Sequence, residues 1–254
     1  DVHVAYQTSG NTAVWDDDAL RFVEFALDFT KSINCDSGKL EELYASMRGF
    51  LNEKQPNQVD TAEIQTVKGL IRKGEAIAGA RFAGLPDENI HFMALPFYER
   101  AKTQKRAVSE DDIQQTMALL QHVRPHQIFA AGDFADPHGT HKICFDIILE
   151  ALNRLRETEE WTKDCWLWLY RGAWHEFETH EIEMAVPLSP QEVLRKRYAI
   201  FKHQSQKDRP VFPGDDEREF WVRAEDRTRE TAKAYDLLGL AEYEAMEAFV
   251  RWKF

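Results

Sequence analysis

Short apolar runs and longer stretches of helically spaced apolar residues take turns along this chain. Val2 to Tyr6 is apolar and β-forming and ends in the polar string Gln7-Thr8-Ser9-Gly10-Asn11, which predicts a strand followed by a loop at a ligand-facing edge. Asp16, Asp17 and Asp18 place carboxylates where a helix start favours negative charge, and Leu20, Val23, Leu27 and Thr30 then recur at helical spacing. Beyond the polar break from Asn34 to Gly38, the positions Leu40, Leu43, Tyr44, Met47 and Phe50 predict a second helix. A long amphipathic stretch from Thr61 to Phe82, closed by Gly84-Leu85-Pro86, predicts a third.

The rhythm then changes. Asn89 to Leu95 is short, apolar and bounded by Pro86 and Pro96, as a buried strand would be. Ser109-Glu110-Asp111-Asp112 has the form of a capping box, so a helix should run from there through Ile113, Met117 and Leu120 towards Arg124-Pro125. His126 to Ala131 reads as the next strand, Ile143 to Leu155 as a helix, Cys165 to Tyr170 as a strand and Ile182 to Leu188 as another, before Pro190 and two or three carboxyl-terminal helices. Helix-length connections between strands predict an α/β fold of Rossmann-like kind, a mostly parallel sheet with helices on both faces. No internal repeat, low-complexity linker or change of composition divides residues 1–254, so one domain is expected.

Composition narrows the classes. With 43% apolar and 30% charged residues the 254-residue chain can bury a core, which excludes disorder and fibrous repeats. Its 32 basic against 44 acidic residues give a net charge of -12, which argues against a nucleic-acid partner. Cys35, Cys144 and Cys165 are far apart and in no CxxC spacing, so neither a disulfide framework nor a cysteine zinc site is expected, and a reducing cytoplasm fits. No apolar run reaches the roughly 18 residues of a membrane helix, and no signal peptide opens the chain. It begins at Asp1 with a strand already under way, which suggests a chain that has been processed or cut from something larger.

In open α/β sheets the ligand crevice lies beyond the carboxyl ends of the strands. The loop Asp133-Phe134-Ala135-Asp136-Pro137-His138-Gly139-Thr140-His141 would lie there, with two carboxylates and two imidazoles before a helix. If that helix begins near Pro137, His138 and His141 leave its first turn on adjacent faces. One reading is a metal ligand beside an acid that protonates a leaving group; the other is a helix cap at Asp136 with two exposed histidines.

These residues resemble a known family. Asp136-Pro137-His138-Gly139-Thr140-His141 is similar to the second signature, HPDH, of the LmbE/PIG-L deacetylases. Tyr6-Gln7-Thr8-Ser9-Gly10 resembles that family's second strand and its loop, Ile71-Arg72-Lys73-Gly74-Glu75-Ala76 its arginine and glutamate helix motif, and Lys196, Ala199, His203, Ser205 and Gln206 its K-x-x-A-x-x-x-H-x-S-Q pattern. The stretch from Tyr170 through Gln206 looks like the LmbE-type domain fused, in some bacterial proteins, behind a glucosamine-6-phosphate deaminase-like domain, which implies that this chain is the carboxyl-terminal portion of such a protein. The resemblance implies a zinc-dependent hydrolase acting on an N-acetylglucosamine-type small molecule, with His141 as metal ligand, His138 as general acid and Arg72 facing substrate. A surface or helix-pairing role for Arg72 stands beside that one. The implied partners are the amino sugar and an upstream deaminase-like domain, with no membrane; a homo-oligomer is possible.

The chain departs from the family at two places. The first signature, HPDDE, which supplies a metal histidine, a metal aspartate and the catalytic base, does not occur between Asp1 and Phe254, so the first strand and helix of the fold are expected to lie upstream. Gly139 and Thr140 also replace the proline and aspartate of the second signature. Weak or absent zinc binding and poor or no catalysis follow for this stretch alone, and a non-catalytic ligand-binding or regulatory module is the alternative. Asp133, Asp136, His175, Glu176, Glu178, His180 and His203 are the candidate substitute ligands. The run from Trp174 to His180 otherwise reads as a solvated acidic loop, and His203 and Gln206 as packing residues on a helix with Leu194, Tyr198 and Phe201.

Overall fold

The computed structural model describes residues 1–56, 58–99, 107–134, 139–172, 176–207 and 216–253. Its elements run β1 (Val4–Tyr6), α1 (Asp16–Ser32), α2 (Gly38–Glu53), α3 (Ala62–Ala83), β2 (Ile90–Phe92), α4 (Pro96–Glu99), α5 (Glu110–Val123), β3 (Gln127–Ala131), α6 (Thr140–Arg156), β4 (Trp166–Tyr170), β5 (Met184–Leu188), α7 (Pro190–Ile200), α8 (Phe220–Leu237) and β6 (Ala245–Trp252). The chain is an α/β protein, as its pattern predicts.

Local chemistry places the boundaries. The Thr61 side chain accepts from the Ile64 N–H to start α3, and Gly84, at φ 96°, supplies the left-handed residue that ends it. Ser109 and Asp112 form the expected capping box, and the buried Asp112 carboxylate also accepts from the Phe97 N–H at 2.9 Å, tying α4 to α5. Ser189 and Glu192 repeat the device at α7, where Pro190 occupies the first turn.

Among the described residues the strands form two sheets. β1 and β2 pair in parallel by themselves, with Tyr6 opposite Phe92. The other sheet has the order β3-β4-β6-β5, with β3 parallel to β4 and β6 antiparallel to both β4 and β5. β6 is the element that sequence reasoning did not find: helices were expected there, yet Ala245, Met246 and Ala248 are buried in a central strand. The Glu- and Ala-rich run has helical propensity, and pairing on both edges overrides it.

Three apolar clusters hold the layers together. Ala19 and Val23 of α1 meet Met47 of α2 and Ile64 of α3. Phe145 and Leu152 of α6 pack on Ala130, Leu167 and Leu169 of the larger sheet. Ile147, on another side of α6, meets Leu95 and Phe97, which joins α6 to the chain beyond β2.

Candidate functional site

The carboxyl ends of β1, β3 and β4 carry the polar residues of interest. Tyr6 ends β1, and its hydroxyl donates to the Ala76 carbonyl on α3 at 3.4 Å. Tyr170 ends β4; burial, then the nearby Asp133 carboxylate, then Tyr6 and Cys144 push its phenol pKa up. Gln7, next after β1, donates through Nε2 to the Cys144 carbonyl of α6 at 3.2 Å.

Beneath the loop after β1 lies an ionic cluster. Arg72 of α3 donates from Nη1 to Glu75 Oε2 at 3.2 Å. Glu75 in turn accepts the Ser205 N–H at 2.7 Å on Oε1 and the Ser205 hydroxyl at 2.7 Å on Oε2. Gln206 donates to the Ala13 carbonyl at 2.7 Å, so the chain after α7 is fastened both to α3 and to the loop after β1. A Cβ on Gly10 would lie 3.2 Å from Arg72 Nε, and Gly10 has φ 66°, so glycine serves here both the turn and the close approach. Arg72 Nε is buried with no hydrogen-bond partner among the described residues, although the side chain keeps 23% of its surface exposed.

His203 stands against this cluster. Burial first, and then the positive charge of Arg72, lowers its pKa to about 4, so the imidazole is neutral at pH 7. Its Nε2 lies where a side chain on Gly79 would come within 2.9 Å. It also lines an apolar cavity of about 280 Å³ with Val4, Tyr6, Ala80, Ala199 and Ile200. The spacing of apolar residues put His203 and Gln206 on a helix, but α7 ends at Ile200. The chain leaves the helix there in turns, and that departure lets the Ser205 N–H face Glu75 instead of an intrahelical carbonyl.

Asp133, two residues beyond β3, is 4% exposed and accepts the Gly172 N–H at 2.7 Å, linking the loops after β3 and β4. Its Oδ1 has no hydrogen-bond partner among the described residues, with Arg171 Nη1 3.9 Å away. α6 begins at Thr140 behind Gly139, whose φ is 60°, so His141 is the second residue of the helix. His138 and Asp136 lie outside the described residues, as does His175.

Glu176 is bound and not a solvated loop carboxylate: its Oε2 accepts from Arg227 and, at 3.0 Å, from the Thr231 hydroxyl. It lines a cavity of about 260 Å³ with Phe177, Arg218, Arg223 and Arg227. Ahead of α8, whose first turn carries no acidic residue, Arg218 is bonded to Asp216 at 2.8 Å and to Asp226 at 2.6 Å. Among the described residues no group of three or more His, Cys, Asp or Glu is placed to hold a metal ion.

Sequence motifs therefore located Arg72, Glu75, His203, Ser205 and Gln206. They missed Tyr98, whose hydroxyl lies 2.7 Å from that of Thr12, and Glu99, which accepts the Ser9 N–H at 2.7 Å. Both belong to the short helix α4, whose four residues carry no periodic signal.

No family model matches the chain. Over 254 residues, 99% of the chain, it is 50% identical to a protein of Bacteroides thetaiotaomicron named as glucosamine-6-phosphate deaminase-like, and it spans 38% of that relative's length. Solved structures similar to it include GalB, the 4-carboxy-2-hydroxymuconate hydratase of Pseudomonas putida, at TM-score 0.50 and 14% identity, covering 75% of this chain and 74% of that one. The conserved protein TT1542 of Thermus thermophilus gives TM-score 0.49 at 18% identity, covering 71% and 72%. The A40926 pseudoaglycone deacetylase Dbv21 gives 0.45 at 14%, covering 73% and 72%. The chain thus shares its α/β fold with GalB and half its residues with one stretch of a longer glucosamine-6-phosphate deaminase-like protein.

Proposed function

We propose that this chain carries the substrate-facing part of an LmbE/PIG-L-type hydrolase site, acting on the acetamido group of an N-acetylated amino sugar. In this reading the metal-bearing segment comes from polypeptide outside these 254 residues. The observation that carries it is the meeting of two motif segments 130 residues apart, where Glu75 holds Arg72 on one side and both hydrogens of Ser205 on the other. The relative's name supports an amino-sugar context, since it is described as glucosamine-6-phosphate deaminase-like.

The chemistry assigned to this chain's own residues is recognition. Arg72 Nε is a buried donor without a partner among the described residues, on a side chain that still reaches solvent. The part of the side chain that reaches solvent would donate to a sugar hydroxyl or phosphate oxygen, and Glu75 keeps the guanidinium oriented. Neutral His203 adds no second cation beside Arg72. Zinc would supply the activated water in such a hydrolase. Of the ligands that the family resemblance implies only His141 lies in this chain, and the described residues, the candidate substitutes Asp133, Glu176, Glu178, His180 and His203 among them, bring no three donors together, so this part of the chain does not fit a zinc site by itself.

That misfit favours a second reading, a ligand-binding or regulatory module without turnover. Zinc analysis after dialysis, with release of free amine from N-acetylglucosamine, separates the two when run on this chain and on the longest natural polypeptide that carries it. The first reading expects weak zinc in the short chain, about one per chain in the long one, loss in His141→Ala, amine release, and a raised KM in Arg72→Met. Metal-free, inactive long polypeptide that still binds the sugar would establish the second.

A further inference from the structure

We infer that His3 and His91, with His122 beside them, form a proton-operated latch on the amino end of β1, closed near neutral pH and released in acid. β1 is three residues long and pairs only with β2 among the described residues, and a two-stranded sheet of that size has little stability of its own. Side-chain chemistry holds its amino end. His3 Nδ1 lies 3.0 Å from His91 Nε2, and the Asn89 side-chain amide donates to the Val2 carbonyl at 2.9 Å. The crevice end is tied separately, by Gln7 to the Cys144 carbonyl at 3.2 Å and by the Ser9 N–H to Glu99 at 2.7 Å.

The two imidazoles meet edge to edge. Their planes are 13° apart and their centroids 5.3 Å apart, which is as far as a 3.0 Å contact between ring nitrogens allows, so the lone pair of one nitrogen faces the hydrogen of the other. A neutral pair makes this bond. A pair with one added proton keeps it, because that proton goes to the outer nitrogen of the donor ring and the bond becomes charge-assisted. With two added protons both facing nitrogens carry hydrogen, and attraction turns into repulsion.

No neighbouring acid offsets that charge. The titratable groups that act on His91 are His3, from ahead of β1, and His122, from the last turn of α5 with its ring edge-on at 6.5 Å; among the described residues no carboxylate joins them. Burial first, and then these two imidazoles, hold the His91 pKa below the ordinary 6.5. When the strand end frays, His91 is relieved of His3 and of part of its burial and binds a proton more readily. The open form therefore holds more protons, so falling pH drives opening. The stability that the latch contributes is present above pH 6.5 and is lost as pH falls through the lowered value.

Amide hydrogen exchange, followed by NMR on the chain, tests this. From about pH 7.5 to about pH 5, corrected for the intrinsic rate, exchange of the His91 amide should rise about tenfold. The Leu95 amide, bonded to the Gln7 carbonyl at the crevice end, and the Leu169 amide in β4 should rise far less. The His91 rise should vanish in His91→Gln and persist in His203→Gln, which separates the latch from the acid response of His203. The His91 ring itself should titrate below 6.5, and at a higher pH in His3→Ala than in the wild type. A His91 amide indifferent to pH, or a rise that survives His91→Gln, overturns the inference. So does a rise shared equally by Leu95 and Leu169, which is general unfolding, or a His91 ring whose titration is unmoved by His3→Ala.

Discussion

Glu75 accepts both hydrogens that Ser205 has to give, the backbone N–H at 2.7 Å and the hydroxyl at 2.7 Å, across 130 residues of sequence. One carboxylate thus fastens the turn after α7 to the middle of α3 while it neutralises Arg72. The cluster is structural and chemical at once: the contacts that hold the fold there also orient the guanidinium.

Truncations at this cluster should separate the two roles. Ser205→Ala removes one neutral donor to a carboxylate and should cost about 1 kcal/mol. Glu75→Ala strips the half-buried Arg72 of its ion-pair partner and should cost about 3 kcal/mol. Because the two share a bond, the double variant should fall short of the sum by about 1 kcal/mol in urea denaturation. Strict additivity would show that the Ser205 hydroxyl bond contributes nothing.

His203 should make stability depend on pH in a defined direction. Its folded pKa is about 4 against an ordinary 6.5, so between these values the unfolded chain holds more protons than the folded one. The stability from keeping the imidazole neutral is present above pH 6.5 and is lost as pH falls towards about 4. Allowing for the ring's partial exposure, about 2 kcal/mol should go over that window. His203→Gln should flatten the slope by one proton's worth, and equal slopes in variant and wild type would refute the assignment.

Much of this was legible in the sequence, for physical reasons. α3 announces itself because Thr61 caps it and Gly84 stops it, and β3 and β4 because short apolar runs sit between turn residues. Motif strings pointed to Arg72, Glu75, His203 and Ser205, yet not to the bond between Glu75 and Ser205, which exists only once α7 and α3 are packed. β6 was illegible because Ala245, Glu247 and Ala248 favour helix in isolation; only the edges offered by β4 and β5 make the segment extended.

Ala248 should therefore be among the least tolerant positions. It is 0% exposed and lies opposite Ala185 in the β5–β6 pair. Ala248→Glu forces a carboxylate into a site with room for one methyl, so a loss of about 4 kcal/mol or more is expected, read as loss of soluble, cooperatively melting protein. Val186→Thr, on the adjacent strand but 40% exposed and opposite Glu247, adds no like charge to that pair, should change stability by less than about 0.5 kcal/mol and serves as the control.

Asp133 should prove to be the tie between the two loops of the crevice. It is almost wholly buried, accepts the Gly172 N–H at 2.7 Å, and leaves so little space that a Cβ on Gly172 would sit 3.0 Å from its Oδ2. Asp133→Asn keeps an oxygen for that N–H but brings a buried amide NH2 that must find an acceptor, so about 1–2 kcal/mol should be lost. Asp133→Ala leaves the N–H without its partner and should cost about 2–3 kcal/mol. Gly172→Ala attacks the same contact from the other side: the methyl must push the carboxylate away, and in an Asp133→Ala background that clash is gone. The double variant should then be no less stable than Asp133→Ala alone, a sign of coupling that thermal melts of the four proteins would reveal. If Gly172→Ala instead costs the same in both backgrounds, the glycine is required by its own backbone, and the carboxylate is not what holds the loops together.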